Sequence, residues 1–149
     1  MKNIKFSRLF AAFALVACLA LTACQQQAPE THKNIEGTWV STFGEKWVIT
    51  GSDLTNYYGT TVSYAGNEIN VEESGSSGYI YVKYTKAYST SNVGKWYALH
   101  YKDLNGNGVK ISGAYKDGGQ TSCATLEAAK AEFTVANGYY ASYSECTKQ

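Results

Sequence analysis

Lys95-Trp96-Tyr97-Ala98-Leu99-His100-Tyr101-Lys102 and Val109-Lys110-Ile111-Ser112-Gly113-Ala114-Tyr115 are two β-prone runs separated by Asp103-Leu104-Asn105-Gly106-Asn107-Gly108. Aromatic and β-branched side chains favour a pleated backbone, and Asn-Gly steps supply the positive φ angles that tight hairpins demand. The pair reads as a β-hairpin, and the rest of the chain repeats its pattern at short, even spacing.

Upstream, Gly37-Thr38-Trp39-Val40-Ser41 and Lys46-Trp47-Val48-Ile49-Thr50 flank a turn at Gly44 and predict another hairpin. Runs at 54–58 and 60–64 follow, then an expected turn at Ala65-Gly66-Asn67. In Glu68-Ile69-Asn70-Val71-Glu72 the apolar residues alternate strictly with polar ones, as a half-buried strand requires. The loop 74–78 leads into Tyr79-Ile80-Tyr81-Val82-Lys83-Tyr84, which carries large apolar bodies on both faces.

Downstream of the opening hairpin the period changes. Residues 122–133 are rich in helix formers, can be capped by Ser122 or Thr125, and place Leu126, Ala129 and Phe133 on one stripe. Phe133-Thr134-Val135, a turn at Asn137-Gly138 and a strand over 139–145 are expected to complete the chain. With 13 Tyr, 14 Gly and one Pro, the sequence predicts a mainly β fold. About eight strands with one short C-terminal helix point to an antiparallel up-and-down barrel or a sandwich, in a single domain over residues 34–149.

The N-terminus has a different layout. Lys2, Lys5 and Arg8 precede an uncharged apolar run from Leu9 to Leu21, the pattern of a secretory signal and too short for the ~20 residues that span a bilayer. Leu21-Thr22-Ala23-Cys24 resembles the lipobox of bacterial lipoproteins. That resemblance implies removal of residues 1–23, diacylglyceryl and palmitate-type acylation at Cys24, and a membrane attachment that two or three acyl chains make durable. Gln25 stands where an Asp would resemble an inner-membrane retention signal, so the expected address is the cell envelope, at the outer membrane. Residues 24–33 are polar and aperiodic, the composition of a flexible spacer.

Removing Lys2, Lys5 and Arg8 takes three of the 13 basic residues and none of the 12 acidic ones, moving the formal charge from +1 to about −2. Every remaining basic residue is Lys, so there is no guanidinium fork for phosphates or base edges and no basic stripe for nucleic acid.

Gly37-Thr38-Trp39 resembles the G-x-W start of a lipocalin-like barrel, whose Trp plugs the closed end; the late helix before a final strand is similar to that fold too. The resemblance implies an Arg from a late strand covering the Trp, for which Lys148 is the weak substitute here.

With Cys18 leaving in the signal and Cys24 carrying lipid, the lipoprotein resemblance leaves Cys123 and Cys146 in a compartment that permits disulfides. A bridge between them would contribute about 3 kcal/mol; two separate buried thiols are the alternative. Asp103-x-Asn105-x-Asn107-Gly108 matches the first half of a calcium loop, but Ala114 stands where the bidentate Glu belongs and strands flank it, so no metal is assigned. His32 lies in the spacer, His100 is alone on a strand, and Glu72 and Glu73 point to opposite faces. With no nucleophile beside a base, no catalytic residue and no cofactor are assigned, and the expected class is non-enzymatic. Trp39, Tyr79, Tyr81, Trp96, Tyr97 and Tyr101 are the candidate ligand-contacting aromatics; the plainer account is that they fill and decorate a small barrel. The expected partners are the membrane through Cys24, a small hydrophobic or amphipathic ligand, and alternatively a protein. For the last, Ser112-Gly113-Ala114-Tyr115-Lys116 resembles the Ser-Gly loop of periplasmic lysozyme inhibitors.

Overall fold

A computed structural model describes residues 34–149. The expected signal region 1–23 with Cys18, the expected lipidation site Cys24, and the expected spacer 24–33 with His32 lie outside the described residues.

Eight antiparallel strands close into one barrel in sequence order: β1 Gly37–Ser41, β2 Glu45–Ile49, β3 Asp53–Tyr58, β4 Thr61–Ser74, β5 Ser77–Lys86, β6 Trp96–Lys102, β7 Gly108–Gly113 and β8 Ser144–Lys148. Closure is made by β1 and β8, where Trp39 pairs with Lys148 and Ser41 with Cys146, so no edge strand is left unpaired. The one α-helix among the described residues, α1 Leu126–Glu132, is capped by Thr125, whose side chain accepts a hydrogen bond from the Ala128 N–H. Its Ala129 and the following Phe133 are fully buried.

Alternation along the strands sorts side chains into two cores. Inward residues, among them Trp39, Trp47, Ile49, Leu54, Ile80, Val82, Leu99, Tyr101, Val109, Ile111 and Cys146, fill the barrel. On the outer face, Tyr81 and Ala98 pack with Ala129, Phe133, Tyr139 and Tyr140 under the helix and the segment that follows it. The Tyr-rich strands β5 and β6 are thus buried on both sides, which explains why neither of their faces is polar.

One end of the barrel is closed. Trp39 is fully buried there and donates its indole N–H to the Ile35 carbonyl at 2.8 Å. The Lys148 ammonium sits 5.2 Å from the Trp39 ring centroid, so Lys148 covers the Trp by a cation–π contact. Gly37 makes room for it: its φ is +140°, and a Cβ there would lie 2.7 Å from Lys148 Cε. The Leu104 N–H to Ser76 carbonyl bond, 2.9 Å, ties two loops across this end. Asn34 lies at the same end, beside Gly75, Gly106 and Lys148.

Four local expectations are corrected. Ala65-Gly66-Asn67 is not a turn: β4 runs through it as one long strand with register shifts at Ala65/Gly66 and Asn67/Asn70 and Glu68 at φ +53°. The bend expected of a turn is supplied by a bulge, which keeps the pairing to β5. In the β6–β7 connection the left-handed residue is Asp103, φ +57°, and neither Gly106 nor Gly108; Asn105 Oδ1 organises the turn by accepting from the N–H groups of Asn107 and Gly108. No strand forms over 133–135, and β8 begins only at Ser144, because Tyr139 and Tyr140 bury against Phe133 instead of pairing.

The fourth correction concerns the cysteines: Cys123 and Cys146 are free, and no disulfide joins them. Cys123 bridges Trp96 at the start of β6. Cys146 pairs with Val109 of β7, one step past the Lys102–Lys110 pair that ends β6. The two levels differ by roughly seven strand residues, about 23 Å along the strand direction, whereas a disulfide needs Cα atoms within about 7 Å. Each thiol is buried in a different core. Burial, reinforced by Glu45, pushes the Cys146 thiol up to about 12, and burial with Glu132 raises that of Cys123.

Candidate functional site

The end opposite Trp39 is open. The C-terminal ends of β1, β3, β5 and β7 converge there, and between the β5–β6 connection and the chain after β7 lies a cavity of ≈ 650 Å³, within the usual range for a small-molecule site.

Three tyrosines build its floor: Tyr64 from β4, Tyr84 from β5 and Tyr97 from β6. Tyr84 and Tyr97 stack with centroids 5.0 Å apart, and Tyr64 meets them edge-on at 6.1 and 5.6 Å. The register explains the cluster. Val82 pairs with Tyr97, so Ile80-Val82-Tyr84 and Tyr97-Leu99-Tyr101 face the same way, and each strand ends its inward row on a tyrosine near the mouth. Beneath them Trp47 donates its indole N–H to the Tyr64 hydroxyl at 3.1 Å. Burial first, then neighbouring phenols, raises the pKa of Tyr64 and of Tyr84; burial and then Glu45 raises that of Tyr97. At neutral pH all three are uncharged rings with hydroxyl tips, suited to contact and hydrogen bonding and not to proton abstraction.

The rim is pinned by side-chain hydrogen bonds. In the 3-10 turn Thr90–Asn92 of the β5–β6 connection, Asn92 Nδ2 donates to Thr121 Oγ1 at 3.2 Å, and Ser122 Oγ donates to Asn92 Oδ1 at 3.0 Å. The Tyr139 hydroxyl accepts from the Gln120 N–H and donates to Glu132. Lys86 and Lys116 stand exposed at the rim.

Of the six aromatics singled out in the sequence, only Tyr97 lines this cavity. Trp39 plugs the closed end and Tyr101 is fully buried in the interior core. Tyr79, Tyr81 and Trp96 belong to the outer core beside α1. Tyr64 and Tyr84 were not singled out. The signal available for Tyr84 was its shared face with Ile80 and Val82; for Tyr64 there was none without the β4 register.

The other chemistry-bearing residues are engaged elsewhere. His100 lies on the outer face, its Nδ1 2.9 Å from the Tyr143 hydroxyl and its ring 4.6 Å from that of Tyr79; burial, then Lys102, lowers its pKa. Glu72 pairs with Lys130 at 2.8 Å, and Asp103 of the calcium-loop-like turn pairs with Lys110 at 3.1 Å. Ser112 is buried and its hydroxyl donates to the Gly113 carbonyl at 3.3 Å, which leaves Tyr115 and Lys116 as the exposed part of that loop.

The fold and site together define a closed eight-stranded antiparallel barrel with one aromatic-floored cavity among the described residues' best-formed hollows. No protein-family model matches the chain, and it has no significant match among curated proteins or solved structures.

Proposed function

We propose that this chain is a lipid-anchored lipoprotein of the bacterial envelope, at the outer membrane, that binds a small hydrophobic or amphipathic molecule at the open end of its barrel and carries out no chemistry on it. The observation that carries the binding role is the ≈ 650 Å³ cavity floored by Tyr64, Tyr84 and Tyr97. A barrel built only for stability has no need of a hollow, since interiors otherwise pack to crystal density, and the lower half of this one is filled by buried side chains that include Trp39 and Tyr101. The anchoring role rests on the lipobox at Leu21-Thr22-Ala23-Cys24. Native mass spectrometry of the protein purified from its own host tests the binding role: a retained small molecule, lost on Tyr84→Ala, is expected. Absence of both a retained molecule and saturable uptake of a neutral naphthylamine probe would sink it.

A second reading, a protein-binding envelope module of the lysozyme-inhibitor or adhesin kind, draws support from one observation. Phe43, Tyr58, Tyr88 and Tyr115 are exposed, at 66 % or more, and all four lie at the open end, Tyr58 as the last residue of β3 and the others in connections. Exposed aromatics gathered on one end suit a protein contact. Lys86, Lys95 and Lys116 outnumber Glu45 and Asp117 at that end, which disfavours a basic partner such as lysozyme there. A stable complex isolated from the host, broken by Tyr88→Ala with Tyr115→Ala while small-molecule uptake is absent, would favour this reading over the first.

A further inference from the structure

We infer that the molecule held in the cavity is an amphipathic anion, its apolar body on the tyrosine floor and its charged head between Lys86 and Lys116. This rests on the binding role proposed above and adds the charge of the ligand to it.

The cavity has two chemically distinct levels. The lower is Tyr64, Tyr84 and Tyr97 with Val62 and Ala114; the upper carries Lys86, at the end of β5, and Lys116, shortly after β7. No carboxylate lines either level. Elsewhere on the barrel three lysines are ion-paired, Lys83 with Glu68, Lys110 with Asp103 and Glu145, Lys130 with Glu72, and Lys46, Lys102 and Lys148 lie over aromatic rings. Among the described residues, neither Lys86 nor Lys116 is in an ion pair; the Lys116 ammonium is 5.7 Å from the Tyr139 centroid, a loose contact.

Two lysines that line an apolar hollow, neither of them in an ion pair, select against a cationic guest and favour an anionic one. They belong to a domain whose overall charge is of the opposite sign, so the basic rim is a local arrangement and no by-product of composition. Lysine stems can lie along apolar surface while the ammonium turns to the head group, which accommodates a carboxylate or a phosphate equally. What the ligand must have is an apolar part to occupy the floor; an inorganic anion has nothing to place on three neutral tyrosines.

The test uses the full chain in nanodiscs of zwitterionic phosphatidylcholine, with empty nanodiscs as blank, and follows displacement of a neutral naphthylamine probe. Competitors share one alkyl chain and differ in head: decanoate, decyl phosphate, decanol and decylammonium, with inorganic phosphate and acetate as bare anions. The expected result is that the two alkyl anions compete about tenfold more strongly than decanol, the sum of two partly exposed charge contacts, and that decylammonium is weakest. Lys86→Gln with Lys116→Gln should abolish the preference and leave decanol unchanged, which also shows that the double variant is folded. If decanol or decylammonium competes as well as the anions, or if the double variant keeps the preference, the charge assignment is wrong while the cavity stands. Competition by inorganic phosphate as strong as by decyl phosphate would reduce the site to a bare anion site and overturn the amphipath. If the probe itself does not bind, the cavity reading fails first. Decanoate against decyl phosphate then distinguishes a carboxylate head from a phosphate one.

Discussion

Reduction should leave the stability of this barrel untouched. Cys123 and Cys146 stand at levels about 23 Å apart along the strands, each thiol buried in its own core, so neither can reach the other without tearing β8 from β7 and β1. A bridge closing the chain between them would contribute about 3 kcal/mol. For a domain of this size that is roughly 10 °C in Tm. The perturbation is a reductant such as a phosphine, and the assay is a thermal melt of the purified protein with and without it. The expected shift is zero within error. The same geometry sets the chemistry of the thiols: with the Cys146 pKa pushed up to about 12 by burial and by Glu45, its thiolate fraction at pH 8 is on the order of one in ten thousand. Labelling by a maleimide should be slow in the native state and rapid in denaturant, with both thiols then reacting without prior reduction. A downward shift of several degrees on reduction, or thiols that appear in denaturant only after reductant, would refute the placement of the two cysteines.

Three further outcomes follow from the same coordinates. Gly66→Ala should destabilise by about 1–3 kcal/mol in a denaturant melt, because the new methyl would collide with the Lys83 carbonyl and lie 2.5 Å from Val82 Cγ2 across the β4 bulge. Stability should fall as pH rises above about 10: folded-state phenols of Tyr64, Tyr84, Tyr97 and Tyr140 have pKa values raised by burial. In that range the unfolded chain has released protons that the folded one still holds, and each such phenol removes about 1.4 kcal/mol per pH unit; an alkaline melt series that is flat from pH 9 to 11.5 would count against their burial. Cys24→Ser should abolish incorporation of labelled palmitate and processing of the precursor while the far-ultraviolet spectrum of the barrel is unchanged, and continued labelling would contradict the lipobox assignment.

The hairpin at 95–115 was legible because its turn residues and both apolar rows are local. The helix was legible because Leu126, Ala129 and Phe133 share a stripe and Thr125 caps it. What failed was what depends on register. Gly66 looks like turn punctuation in the sequence; it is a glycine because β5 passes close by, a fact that only the paired strand supplies. Tyr139 and Tyr140 have the composition of a strand, but the hydrophobic surface left open by α1 draws them out of the sheet. The cavity escaped for the same reason. Tyr79 and Tyr84 are indistinguishable in composition, yet one faces His100 on the outside and the other faces Tyr97 within, and a strand buried on both faces carries no alternation to say which. The cysteine pairing failed because counting thiols takes no account of how far apart strands hold them.

Asn34 enters the barrel at the pole occupied by Trp39 and Lys148, while the hollow opens at the other. Under attachment at Cys24, the leash from Cys24 to Asn34 reaches at most ~35 Å, and it pulls on the sealed pole. A barrel so attached would be tethered at its sealed pole, with the hollow on the far side of the domain. On that attachment Tyr84 would be the part of the barrel farthest from the tether point, and a molecule from the anchoring leaflet would reach it only past the outside of the barrel.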